Sequence, residues 1–273
     1  MVDCGEGTQR QMMRARTGMM RLTHIFLTHL HADHILGIPG LLETMAFQGR
    51  VEPLTIAGPI HTSRMLDCFK SVCYFSRDFP VRALELEPGE AVEMNGFGVR
   101  AFPTQHSVPS LGYCLEEKLR PGRFNREVAV SLGVPPGPLF GKLQRGQSIE
   151  IEGRRIESHQ VMGPARPGRK IVYTGDTRPC ASVESASQGA DLLIHDCALA
   201  SDMAEWARET KHSTAAEAAE IARRSGVARL VLTHISSRYS EDSSILLKEA
   251  RSIFEKSTVA EDLMSLEIRL RDE

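Results

Sequence analysis

No apolar run in these 273 residues approaches the roughly 18 that a membrane-crossing helix needs. The opening Met1-Val2-Asp3-Cys4-Gly5-Glu6-Gly7 has neither a basic region nor an apolar stretch, so it does not read as a secretory signal. The cysteines (Cys4, Cys68, Cys73, Cys114, Cys180 and Cys197) show no CxxC spacing and form no disulfide framework in a chain this long. That excludes a cysteine-built zinc site and points to a reducing, cytoplasmic setting. An excess of one charge is also missing. Lys and Arg total 33 against 35 Asp and Glu, a net of −2, so the chain as a whole is not a basic nucleic-acid arm. There is no internal repeat and no low-complexity tract. What is present, 41% apolar and 25% charged residues, reads as a globular protein long enough for one sizeable core or two modest ones.

Short β-branched or apolar runs alternate with helical stretches. Strands are expected at 24–28, 54–57, 99–102, 112–115, 171–174, 191–194, 229–233 and 263–270. Helices are expected at 39–48, 61–75, 214–225 and 243–256. The third helix has a capping box in Thr214 and Glu217, an apolar stripe in Ala218, Ile221 and Ala222, and a stop at Gly226. Many short strands mixed with helices predict an α/β layered fold.

One segment departs in composition. Residues 118–170 carry eleven Lys/Arg against four Asp/Glu, a net of +7 that leaves −9 for the rest, together with six Pro and eight Gly. It reads as a protruding, semi-independent arm. Its charge is either an ordinary solvated surface or a footprint for phosphate backbone, with Lys142, Arg145, Arg154 and Arg155 as candidate RNA contacts.

The chemistry concentrates in His29-Leu30-His31-Ala32-Asp33-His34, directly after the apolar run Ile25–Thr28. So many imidazoles and a carboxylate in one place call for a cation, with Zn²⁺ the best match and Mn²⁺ or Fe competing. Further His and Asp residues follow other strand candidates: His106, Asp176, His195-Asp196 and His234. Strand ends along one edge of layered sheets are where sites are built. His29, His31 and His106 make three ligands for one ion, Asp33, His34 and His234 three for another, and Asp176 is left to bridge. Two divalent ions sharing a water suit hydrolysis at phosphorus, with lactones or thioesters as other substrates. His195-Asp196 and Lys211-His212-Ser213-Thr214 form a second polar set. There His212 is placed to protonate a leaving oxygen or hold a phosphate oxygen, and Asp196 to orient it.

His29–His34 resembles the HxHxDH motif of the metallo-β-lactamase superfamily. Within it the chain resembles the tRNase Z family, endonucleases that mature tRNA 3′ ends. The resemblance is carried by Asp3-Cys-Gly-Glu-Gly-Thr-Gln, the Ile25–Leu42 block, Gly175-Asp-Thr-Arg, His212-Ser-Thr, Leu232-Thr-His-Ile-Ser-Ser-Arg-Tyr and Ala260-Glu-Asp-Leu-Met. The Leu132–Leu143 segment is similar to the Gly/Pro-containing exosite of the short form. The resemblance implies a four-layer αβ/βα sandwich formed by residues 1–117 and 171–273, with 118–170 as the exosite arm. It implies two Zn²⁺, Asp33 as ligand and general base, Asp176 as bridge, and His212 at the leaving group. It also implies a homodimer in which one subunit's arm clamps precursor tRNA for the other's site. Cleavage is expected 3′ of the discriminator nucleotide, leaving a tRNA 3′-hydroxyl. His195-Asp196-Cys197 stands where the family usually has His-Glu-Ala. The family's opening strand and Gly/Ser/Thr-rich loop are expected to be absent ahead of Met1-Val2. A general phosphodiesterase of the same superfamily and an inactive, N-terminally truncated RNA-binding product are the alternative readings.

Overall fold

The computed structural model describes residues 1–73 and 79–271. Its elements run β1 (His24–Phe26), β2 (Leu54–Gly58), β3 (Val81–Glu85), β4 (Ala91–Glu93), β5 (Phe97–Pro103), β6 (Leu111–Glu117), β7 (Ile149–Ile151), β8 (Arg154–Ile156), β9 (Lys170–Tyr173), β10 (Leu192–Asp196), β11 (Leu230–Thr233) and β12 (Ser257–Val259). The helices are α1 (Thr8–Ala15), α2 (Ala32–Ile35), α3 (Ile38–Phe47), α4 (Thr62–Val72), α5 (Arg126–Ser131), α6 (Pro138–Gln144), α7 (Ala181–Ser187), α8 (Ala204–Thr210), α9 (Ala215–Arg224) and α10 (Ser244–Ile253).

The chain divides into two compact units. One comprises Met1–Glu116 and Lys170–Arg269; the other contains Glu117–Arg169. In the first, β1-β2-β3 form a parallel sheet, and a second sheet has the order β12-β11-β10-β9-β6-β5-β4. Strands β9 to β12 pair in parallel, and β6 meets β9 antiparallel. Because strand side chains alternate in direction, each sheet offers two apolar faces. Ile25, Leu54 and Ile56 pack with Leu41, Met45 and Leu66 of α3 and α4. Phe26 and Ala57 meet Val99, Ala101, Leu111 and Tyr113 between the sheets. Val172, Leu193, Leu230 and Leu232 pack with Val183, Ile221 and Leu246 of α7, α9 and α10. These contacts define four layers, helix–sheet–sheet–helix. Val2 makes a parallel bridge to Phe26, and beside it an apolar cavity of about 450 Å³ is lined by Val2, Phe26, Phe97, Tyr113 and Ile171.

The second unit has its own small core of Ala129, Val134, Leu143, Ile149, Ile156 and Val161, built from α5, α6 and the antiparallel β7–β8 hairpin. The Gly/Pro-rich composition therefore punctuates a folded unit.

The structure corrects the sequence reading at 263–270. This stretch joins no sheet: Leu263 is left-handed (φ 63°), and its large side chains Leu263, Met264 and Leu266 are exposed. The strand beside β11 is β12 instead, whose Ser257–Val259 register places it directly after α10. The helix expected to reach Phe75 is described to Val72, and its expected end lies outside the described residues.

The predicted cap of α9 is present. Glu217 N–H donates to Thr214 Oγ1 at 3.3 Å, Thr214 N–H donates to the Glu217 carboxylate at 2.9 Å, and Gly226 takes φ 60° just past the end. Ile221→Ala should destabilise the first unit by about 2–5 kcal/mol. Thr214→Ala should cost about 1 kcal/mol, the usual loss for an N-cap side chain. Denaturant titration of both variants checks this ranking, and an Ile221 variant no less stable than the Thr214 variant would contradict the core assignment.

Candidate metal centre

β1 runs straight into the His29–His34 segment, and the second sheet holds that segment in place. Leu111 N–H donates to the Thr28 carbonyl at 2.8 Å, and the buried Tyr113 hydroxyl donates to the Leu27 carbonyl at 2.6 Å. From the other side the Asp3–Gly7 turn presses close. Cys4 N–H donates to the His34 carbonyl and Gly37 N–H to the Cys4 carbonyl, and a Cβ on Gly5 would collide with the Asp33 carbonyl oxygen. Only glycine allows that approach.

The side chains expected to bind metal converge in two groups, His29–His31–His106 and Asp33–His34–His234. In the first, His29 Nε2 lies 3.0 Å and His106 Nε2 3.3 Å from His31 Nδ1. In the second, the outer Asp33 oxygen is 3.7 Å from Nε2 of both His34 and His234. One oxygen of the buried Asp176 stands between the groups, 3.7 Å from His29 Nε2, 3.4 Å from His34 Nε2 and 3.3 Å from His234 Nε2. Tetrahedral ligands about 2.0–2.1 Å from one ion lie roughly 3.4 Å from each other. The observed spacings fit that requirement, and nitrogen and carboxylate donors are the chemistry a divalent metal takes. The residues present therefore fit a divalent metal.

In three of these imidazoles the nitrogen turned away from the centre is held by another group, which fixes ring orientation and tautomer. Thr28 Oγ1 is 3.0 Å from His29 Nδ1, Asp3 accepts from His34 Nδ1 at 2.9 Å, and the Lys211 carbonyl accepts from His106 Nδ1 at 3.1 Å. Asp196 serves two rings. One oxygen accepts from His212 Nδ1 at 3.1 Å and the other faces His234 Nδ1 at 3.5 Å. The shorter Asp side chain at this position thus reaches His212. His212 stacks on His234 with ring centres 4.9 Å apart and lies 5.2 Å from the His106 ring.

The structure separates His195 from Asp196. Adjacent residues of β10 point to opposite faces, and His195 shares the side of Leu193 and Cys197, buried toward the helices. It joins none of the ligand groups among the described residues. Lys142, Arg145, Arg154 and Arg155 are all exposed on the second unit, and Arg155 pairs with Glu157 at 2.6 Å.

Asp3 is the main site residue that spacing alone does not reveal. It belongs to a glycine-rich turn far from the histidine run in sequence, yet one carboxylate oxygen also accepts from Thr28 N–H at 2.8 Å. Its left-handed φ of 52°, a conformation Asp tolerates better than most residues, is legible only in three dimensions.

The electrostatics describe a centre that draws positive charge. Burial opposes charging His34, but hydrogen bonds to Asp176 and Asp3 outweigh it and push the imidazole up to about 10. Burial likewise opposes His234, and Asp196 and Asp176 raise it to about 9. His29, buried and close to His34, falls to about 3. Burial works against ionising Asp176, but His34 and His234 hold it well below the usual carboxylate range.

The model of the beta-lactamase superfamily domain matches residues 1–124 and 152–235. The fold and the histidine–carboxylate donor set define the chain as a protein of the metallo-β-lactamase type. Ribonuclease Z of Methanosarcina acetivorans is 58% identical over 99% of this chain and 89% of its own length. Ribonuclease Z of Myxococcus xanthus is 48% identical over 99% of this chain and 88% of its own. The crystal structure of human tRNase Z, short form, superposes with a TM-score of 0.66 at 27% identity, covering 98% of this chain and 88% of that one. The chain belongs to the ribonuclease Z family.

A divalent ion must displace the protons that the carboxylates hold on His34 and His234. Those protons are present at pH 7 because both groups are raised above it. Metal affinity should therefore weaken as pH falls from about 9 to 6, and binding at pH 7 should release protons. Calorimetry in buffers of different ionisation heat counts them, and zero release would contradict the assignment. Asp3→Asn, which removes one carboxylate from His34, should release fewer protons and bind metal about 10–100-fold more weakly.

Proposed function

We propose that the chain is a metal-dependent endoribonuclease that hydrolyses precursor tRNA 3′ of the discriminator nucleotide, removing the 3′ trailer and leaving a tRNA 3′-hydroxyl. The observation that carries this reading is the pair of three-ligand groups with one Asp176 oxygen 3.3–3.7 Å from a histidine in each, in a chain 58% identical to a ribonuclease Z. The metal is two Zn²⁺, with Mn²⁺ as the alternative. His29, His31 and His106 would hold one ion, Asp33, His34 and His234 the other, and Asp176 would join them. Bound there, the ions would supply Lewis acidity and lower the pKa of water.

The protein groups manage the protons. The Asp33 side chain is 60% exposed, unlike the buried Asp176, so it can accept a proton from the attacking water while still reaching the metal. Attack at phosphorus breaks the bond to the ribose 3′-oxygen, which needs a proton to leave as a hydroxyl. His212 is placed to donate it. Asp196 engages Nδ1 and fixes the ring, leaving Nε2 for the leaving oxygen. The phosphate then remains on the 5′ end of the trailer.

The +7 charge of residues 118–170 supports a role in gripping the substrate. Lys142, Arg145 and Arg154 offer the freer charge there, since Arg155 is engaged by Glu157. The enzyme acts as a homodimer whose arms clamp the tRNA for the opposite site, in the cytoplasm. No helix among the described residues is long and apolar enough to cross a membrane.

A 3′-extended precursor tRNA with Zn²⁺ or Mn²⁺ should be cut at the discriminator. Asp33→Ala should abolish hydrolysis. His212→Ala should keep its metal and slow cleavage by about 10²–10⁴-fold, the range of general acid contributions. Equal metal loss in both variants would contradict these roles. Reversing the charge of Lys142, Arg145, Arg154 and Arg155 should weaken tRNA binding, flatten its salt dependence by about 0.7–0.9 per lost phosphate contact, and spare bis-p-nitrophenyl phosphate. Turnover of that diester without discriminator cleavage by the wild type would make the enzyme a general phosphodiesterase.

A further inference from the structure

Arg178 follows Asp176 by two residues and takes no part in the chemistry described above, yet it touches both loops that carry His106 and His212. Its main-chain N–H donates to the Gln105 carbonyl at 2.9 Å, forming an isolated antiparallel bridge one residue before His106. Its guanidinium donates through Nη1 to the His212 carbonyl at 2.5 Å and to Glu217 Oε2 at 2.8 Å, and through Nη2 to Glu217 Oε1. Glu217 is itself fixed by the cap of α9, accepting from Thr214 N–H at 2.9 Å.

The surrounding bonds close a ring around His212. Asp196 Oδ2 accepts from Thr177 N–H at 3.0 Å, Ser213 N–H at 3.2 Å and His212 Nδ1 at 3.1 Å. Ser213 Oγ donates back to the Thr177 carbonyl at 2.6 Å, and Thr177 Oγ1 accepts from Gln105 N–H at 3.0 Å. Within this ring the Arg178 guanidinium is the side chain that holds the His212 carbonyl, opposite the Ser213 N–H that Asp196 engages. Three of the five guanidinium N–H groups go to these acceptors, and the side chain is only 12% exposed. It is poorly placed to bind a substrate phosphate.

We propose that Arg178 is a positioning residue for His212. Anchored on Glu217, it holds the 212 peptide so that the imidazole stays on Asp196 and faces the leaving oxygen. The inference rests on the reading of His212 as the leaving-group residue. Displacement of a reacting group by even about 1 Å can cost on the order of 10²-fold in rate.

Single-turnover cleavage of precursor tRNA by the metal-loaded enzyme tests it through a cycle of R178M, H212A and the double variant. R178M should lower the cleavage rate constant about tenfold to a hundredfold, with substrate affinity and metal content within about twofold of wild type. R178K, which keeps the charge but not the fork, should recover part of the loss. In the H212A background R178M should cost less than about twofold, because the group it positions is gone. The same factor in both backgrounds would overturn the proposal and make Arg178 a general scaffold residue. A loss expressed as weaker tRNA binding with a flatter salt dependence would overturn it in favour of a phosphate contact. H212A cleaving at the wild-type rate would overturn the reading of His212 and the positioning role together. Thermal unfolding monitors each variant, and R178K with H212A carries the same cycle if R178M does not fold.

Discussion

Asp176 is a buried carboxylate facing three imidazoles at 3.3–3.7 Å, and the larger unit is organised around what that charge requires. A buried ion is costly unless opposite charge and hydrogen bonds surround it. The compensation comes from separate elements. His29 follows β1, His34 sits in α2 and His234 follows β11, so both sheets must pack together before Asp176 is satisfied. Even the loop that carries Asp176 is tightly constrained. Gly175 adopts φ 59°, and a side chain there would run into Thr28. The centre is thus a consequence of packing two sheets with their strand ends on one edge.

Outside the ring of candidate ligands, two further carboxylates repeat the principle at one remove. Asp3 holds His34, and Asp196 holds His212 while facing His234. Each is itself buttressed by main-chain donors, Thr28 N–H for Asp3 and those of Thr177 and Ser213 for Asp196. Imidazoles restrained in this way keep their orientation without a side-chain entropy loss at the moment of binding. The two arrangements differ in purpose. Asp3 serves a ring that belongs to the metal groups, whereas Asp196 links such a ring to one assigned to proton donation.

The clustering of the candidate ligands was legible in sequence because its chemistry is local and redundant. Four donors lie within six residues, and the others follow apolar runs whose ends a parallel sheet aligns. The capping box of α9 was legible for the same reason, since Thr214 and Glu217 interact three residues apart. The strand expected at 263–270 failed because alternation of apolar residues marks a face only where a partner sheet exists to bury it. Helices α1, α7 and α8 escaped because they run only seven or eight residues, too short to be decided by local signals, so tertiary contacts decide them.

The amino-acid sequence by itself pointed to a divalent metal, because clustered imidazoles and carboxylates have few other uses, and it separated a basic segment from an acidic remainder. Only the tertiary structure decided that these donors lie within reach of one another, that Asp3 holds the His34 ring, that His195 turns away from its neighbour, and that Arg178 ties the His106 and His212 loops together. Those relations join residues up to 201 positions apart, as between Asp33 and His234, and no local pattern encodes a contact that exists only when two sheets and their helices have packed.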